Sequence, residues 1–138
     1  MDLEALKAEL TRDEGIGFKP YKDSVGKLSV GVGHNLDDVP ISYRAIMQIL
    51  EDDILNVMGQ LNAHVAWWPS LNDVRQRVLA NMAFNLGING LLAFKQMLMA
   101  AQDSDFERAA KEMLDSKWAK QVGARATRLA QMMRTGLS

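Results

Sequence analysis

Three side chains near the start of the chain have the types and spacing to break a glycosidic bond. Glu14 precedes Gly15-Ile16-Gly17, Asp23 stands nine residues later at the mouth of a Ser24-Val25-Gly26 turn, and Ser29 follows after a further six. Cleaving an acetal needs a proton for the leaving oxygen and a nucleophile at the anomeric carbon, and most glycosidases supply both from two carboxyl groups. A Glu at a helix end beside flexible backbone and an Asp entering a turn could face each other in that way. Both residues are also commonplace in purely structural roles at such places, so spacing alone leaves the two readings open.

The elements that must position these residues follow from periodicity. Leu3, Leu6 and Leu10 recur at helical spacing and the pattern stops at Gly15 and Gly17, which predicts a first helix ending near Asp13 or Glu14. Leu28, Val30 and Val32 then alternate with Ser29, Gly31 and Gly33, so a small antiparallel hairpin is expected with strands near 18–22 and 28–33. His34 to Pro40 reads as loop. Ser42 can cap a long helix carrying Ile46, Ile49, Leu50, Ile54, Val57, Met58 and Leu61. After a break at Trp68-Pro69-Ser70, Asn72 can cap a helix that Gly87 closes, and another begins near Asn89. Ser104-Asp105-Phe106-Glu107 has the form of a capping box, and a last helix runs from about 124 to 134 and stops at Gly136. The fold class is therefore α+β, mainly α, with a minor hairpin near the start.

Composition narrows the function classes. The 138 residues are 48% hydrophobic and 24% charged, as in an ordinary globular domain rather than a disordered segment. The absence of cysteine removes disulfides and thiolate metal sites, and His34 and His64 are too few and too scattered for a catalytic zinc centre, so no metal is expected. The start, MDLEALKAEL, lacks the basic head and apolar run of a signal peptide, and no span of about 20 apolar residues occurs. Net charge is only −1, which with no recognisable motif argues against nucleic-acid binding. The charge is uneven, however. Residues 111–138 hold six basic and two acidic side chains, an end that could favour an anionic bacterial envelope or simply be a solvated helix face.

The run DEGIGFKPYKDSVGKLSVGVGH resembles the catalytic segment of the phage lysozymes, the endolysin muramidases of glycoside hydrolase family 24 that include the enzyme of the T-even coliphages. That family carries Asp-Glu-Gly, Tyr-x-Asp, a Gly, a Thr and Gly-x-Gly-His at the same intervals. The segments SLNDVRQRVLANMAFNLG, SDFERAAKEMLDSKWAKQVGARA and RTG also resemble family blocks, in the same order, so the likeness spans nearly the whole chain.

The resemblance implies a lysozyme-like fold in one catalytic domain over 1–138, with a small lobe about 13–45, a long connecting helix, and a larger helical lobe about 60–138 packed with the N-terminal helix. It implies hydrolysis of the β-1,4 bond between N-acetylmuramic acid and N-acetylglucosamine in peptidoglycan, without a cofactor. Glu14 would protonate the leaving oxygen, Asp23 would activate a water on the opposite face, and Ser29 would hold that water where the family usually has Thr. Inversion would follow, with carboxyl groups about 6.5–9.5 Å apart. Arg125 matches an arginine that pairs with the catalytic Glu. An adjacent guanidinium favours the ionised carboxylate whereas a general acid must keep its proton, so burial or desolvation has to oppose it. Phe84 matches an aromatic that contacts sugar, His34 is expected to pair with Asp53, and Trp67 and Trp68 are read as packing residues. Asn35, Met97 and Glu112 depart from the family's substrate positions.

The family also implies a monomer made in the host cytoplasm that reaches the periplasmic wall after a separate protein permeabilises the membrane, for host lysis by a phage. Two alternatives remain: a lytic transglycosylase, which can work with one catalytic Glu, and a non-catalytic wall- or membrane-binding protein using Lys117, Lys120, Arg125, Arg128 and Arg134. Asp23 and Ser29 argue against the first, and the intact Glu14, Asp23 and Ser29 set argues against the second. Because a serine rotamer is freer than a β-branched one, the Ser29→Thr variant is expected to preserve or raise turnover on peptidoglycan. A lower kcat would contradict the water-positioning role.

Overall fold

Residues 1–138 are all described by the computed structural model, in which Met1–Gln48 and Ile49–Ser138 form two compact units. In the first, helix α1 (Leu3–Glu14) starts at Asp2, whose side chain accepts the Ala5 N–H at 3.0 Å, and ends at Gly15, whose φ of 75° suits glycine. Strands β1 (Gly17–Lys22), β2 (Leu28–Gly31) and β3 (His34–Asn35) make an antiparallel sheet in the order β1-β2-β3. Tyr21 and Lys22 pair with Ser29 and Leu28, and Ser29 and Val30 pair with Asn35 and His34.

The third strand corrects the sequence reading, which carried the second strand on to residue 33 and left His34-Asn35 as loop. Gly31 and Gly33 have φ of 68° and 73°, left-handed values open to glycine, so the chain reverses there and residues 34 and 35 return alongside β2. Alternation had concealed a turn.

Helix α2 (Tyr43–His64) begins where Ser42 Oγ accepts the Ala45 N–H at 3.1 Å, the cap expected from the sequence, and runs through the division between the units. Of its apolar stripe only Val57 and Leu61 are buried, while Ile46, Ile49, Ile54 and Met58 stay exposed.

The second unit continues with a 3-10 turn (Trp68–Ser70) and helices α3 (Asp73–Leu92), α4 (Lys95–Gln102), α5 (Phe106–Leu114), α6 (Lys117–Val122) and α7 (Ala124–Thr135). Asn72 caps α3 by accepting the Arg75 N–H, and Gly87, at φ 75° and ψ 162°, is non-helical, so Asp73–Leu92 is two helices meeting at a kink, with the stop where the sequence predicts it. Every buried apolar side chain lies in this unit, from Val57 to Met133, with Leu61, Leu79, Met82, Met97, Met113 and Met133 fully enclosed. Enclosing each stabilises the fold by about 1.5–3 kcal/mol, and the methionines serve as the core filler that their helical spacing suggested. Trp68 and Trp118 are buried too, with ring N–H groups donating to Asn62 and Asn85.

Arg75 ties three helices together. Its guanidinium lies 3.4 Å from the centre of the Phe106 ring on α5 and donates to the Met133 and Arg134 carbonyls at the end of α7. Those carbonyls have no partner within their own helix, and a cation at a helix C-terminus is favoured by the dipole. Burial pulls the Arg75 pKa below the ordinary arginine value.

The capping box is a second correction. Ser104 has φ of 60° and closes off the end of α4 with its N–H on the Ala101 carbonyl, while Asp105 caps α5 by accepting the Arg108 N–H at 3.2 Å. A residue held in the left-handed region cannot take the extended backbone of a helix cap. Asp105→Ala is therefore expected to cost about 1 kcal/mol in chemical denaturation, and Ser104→Gly to leave stability unchanged or slightly raised. The reverse ranking would contradict this assignment.

Candidate active site

Glu14, Asp23 and Ser29 all lie in the first unit, on α1, the β1–β2 turn and β2 respectively. Glu14 is the last residue of α1 and is exposed. Its Oε2 lies 3.8 Å from the point where a Cβ on residue 33 would stand, which sets the carboxylate beside the β2–β3 turn.

Asp23 is held by its own turn. Its Oδ1 accepts the Val25 N–H at 3.0 Å and the Lys27 N–H at 2.9 Å, its N–H donates to the Lys27 carbonyl at 2.8 Å, and its carbonyl accepts from Gly26 at 3.1 Å. Bonds from N–H groups to an ionised oxygen are about twice as strong as neutral ones, so the residue that could do chemistry also closes the turn that presents it. Both side-chain bonds fall on the same oxygen.

Ser29 is 2% exposed, the one fully buried residue of the first unit, although the sequence placed it on the polar side of its strand. Burial already restricts the rotamer freedom that a serine has on an open strand, so of the two outcomes expected for Ser29→Thr, preserved turnover is the one the structure favours. Its neighbour across the sheet, Asn35, uses its side chain within its own loop: Oδ1 accepts the Asp37 and Asp38 N–H groups, and Nδ2 donates to Asp38 Oδ2. The His34 ring sets Nε2 3.2 Å from the Val39 carbonyl in the same loop.

Arg125 and Phe84 lie in the second unit, where both border a groove of about 620 Å³ between α2, α3 and α7. Ile54, Val57, Leu129 and Met132 line it with apolar surface, and Arg77, whose Nε donates to Asp73 at 2.8 Å, and Arg128 line it as well. Arg125 Nε and Nη2 both donate to Asn81 Oδ1, at 3.0 and 2.7 Å, which fixes the plane of the guanidinium. Phe84, one turn along α3 from Asn81, is 46% exposed, so a large part of its ring is open to solvent.

Sequence reasoning missed Asn81. Two signals pointed to it: its spacing of three from Phe84, and the placement of Arg125 in the first turn of α7, where the helix dipole disfavours a cation. A charge kept at an unfavourable place invites a search for what holds it. Met97, by contrast, is 1% exposed and belongs to the core.

Comparison with known proteins matches the family model described as phage lysozyme over residues 11–134. The chain is 29% identical to the pre-baseplate central spike protein of Enterobacteria phage T4, over 92% of its own length and 27% of the spike protein's. It is 24% identical to a probable T4-type lysozyme of Dictyostelium discoideum, over 97% of this chain and 96% of that one. It is also 30% identical to the SAR-endolysin of Escherichia phage Mu over 62% of this chain and half of that protein. The chain thus spans about a quarter of the spike protein and nearly all of the Dictyostelium protein.

Proposed function

The chain belongs to the phage lysozyme family, and from that premise we propose that it hydrolyses bacterial peptidoglycan at the β-1,4 bond between N-acetylmuramic acid and N-acetylglucosamine, with inversion. The observation that carries this reading is the geometry of Asp23, whose carboxylate is pinned through Oδ1 alone. Its second oxygen is left to take a proton from water while the first stays bound to the turn. In the same unit Glu14 ends a helix with its carboxyl group open to solvent beside the β2–β3 turn, so bound substrate must supply the desolvation that keeps it protonated for the leaving oxygen, and Ser29 supplies a hydroxyl to orient the water. Two carboxyl groups complete the proton transfers, so no cofactor is required.

Arg125, set by Asn81, supplies a fixed cation, and Phe84 offers a ring face of the kind on which sugars stack. The whole chain acts as one catalytic domain. It works on the periplasmic wall after release from the host cytoplasm by a separate permeabilising protein, for host lysis by a phage. No single helix is long and apolar enough to cross a membrane.

The test is clearance of outer-membrane-stripped Gram-negative cells together with mass spectrometry of the digested wall. Wild type is expected to add one water at each cut, and Glu14→Gln to lose activity by about 10²–10⁴-fold, the range for a positioned acid. Anhydro products without added water would transfer the assignment to a lytic transglycosylase. Clearance by Glu14→Gln at the wild-type rate would transfer it to a non-catalytic wall-binding protein.

A further inference from the structure

The first unit has one fully buried side chain, Ser29, and no buried apolar residue. Packing therefore cannot fix the Asp23 turn to a fraction of an ångström, as a close-packed core fixes its side chains. Hydrogen bonds have to do so, and they lead from Asp23 to a side chain outside the motif.

The returning limb of the turn is Lys27, joined to Asp23 through both its N–H and its carbonyl. The next residue, Leu28, opens β2. Its carbonyl accepts the Leu36 N–H at 2.8 Å, which continues the register of Ser29 with Asn35. In a regular antiparallel ladder the Leu28 N–H would donate to the Leu36 carbonyl in return. Here it donates to Asp37 Oδ2 at 2.8 Å. β3 ends at Asn35, the chain turns away, and a carboxylate stands in for the missing strand acceptor. Asp37 is fixed in turn by its own N–H on Asn35 Oδ1 at 3.0 Å. The path runs from Ser29 across the sheet to Asn35, to Asp37, to Leu28 and so to the Lys27 limb that holds Asp23.

We propose that Asp37 is a positioning residue for Asp23, acting through the Leu28 N–H. This rests on the reading of Asp23 as the base. Asp38, which also reaches the turn through an ion pair with Lys27 at 3.2 Å, is a weaker tie, because the two side chains are 52% and 47% exposed and such pairs contribute little.

Steady-state kinetics of the full chain on purified peptidoglycan, with amide NMR of Val25 and Lys27, tests the assignment. Asp37→Ala is expected to lower kcat about tenfold, within the loss that a misplacement on the order of 1 Å produces. KM should stay within about twofold, as for loss of an interaction made only in the transition state. Asp37→Asn keeps an oxygen at the acceptor position and is expected to recover at least about half of wild-type kcat and leave the two amide resonances in place. Asp38→Ala should stay within about twofold of wild type, as an exposed pair predicts.

Wild-type kcat in Asp37→Ala, alongside inactive Asp23→Asn, would overturn the positioning role and leave the functional reading intact. Asp37→Asn as impaired as Asp37→Ala would also overturn it, since charge rather than hydrogen-bond acceptance would then matter. Full activity in Asp23→Asn would remove the functional reading and this inference with it. Should Asp37→Ala fail to fold, the Asp37→Asn kinetics and resonances decide alone.

Discussion

A single carboxylate oxygen organises the part of the molecule where chemistry is proposed. Asp23 Oδ1 takes two backbone N–H groups and thereby closes the β1–β2 turn, in a unit with no apolar core to enforce its shape. The glycines at 31 and 33 permit the reversal that returns β3 beside β2, β3 brings Asn35 opposite Ser29, and the loop after it delivers Asp37 to the Leu28 N–H. A site built on hydrogen bonds is adjustable by single polar substitutions, whereas one built on packing is not.

The second unit solves the opposite problem. Its apolar core runs from Val57 to Met133, and long helices hold their place by burial. Polar groups there act at helix ends. Arg75 closes α7 against α3 and α5, Asn72 donates to the Gly136 carbonyl, and Asn81 fixes Arg125 at the unfavourable end of its helix. The hydrogen-bonded turns and the apolar core thus lie in different stretches of one chain, and α2 runs through the division between them.

Much of this is legible in the sequence. The caps at Ser42 and Asn72 and the break at Gly87 were readable because each is a local residue preference acting on an adjacent backbone. The family is readable because the intervals between Glu14, Asp23 and Ser29 and the downstream segments as far as RTG near the end keep the family's order in the linear sequence. Ser104 misled because two candidate caps stood side by side, and only the backbone angle of the first decides between them. β3 was hidden because Gly31 and Gly33 fit strand alternation as well as they fit a turn. Asp37 and Asn81 belong to no motif, since each bonds a partner nine or more residues away, the Leu28 N–H and the Arg125 guanidinium.

The central claim is that Glu14 and Asp23 work as acid and base on opposite faces of the sugar, with water attacking directly. Proton NMR of the reducing end formed in the first moments of digestion, before mutarotation, tests it most directly. Attack by water opposite a β-linked leaving group predicts the α-anomer first. A β-anomer formed first would mean retention, and would contradict the assignment of Asp23 as a base acting through water.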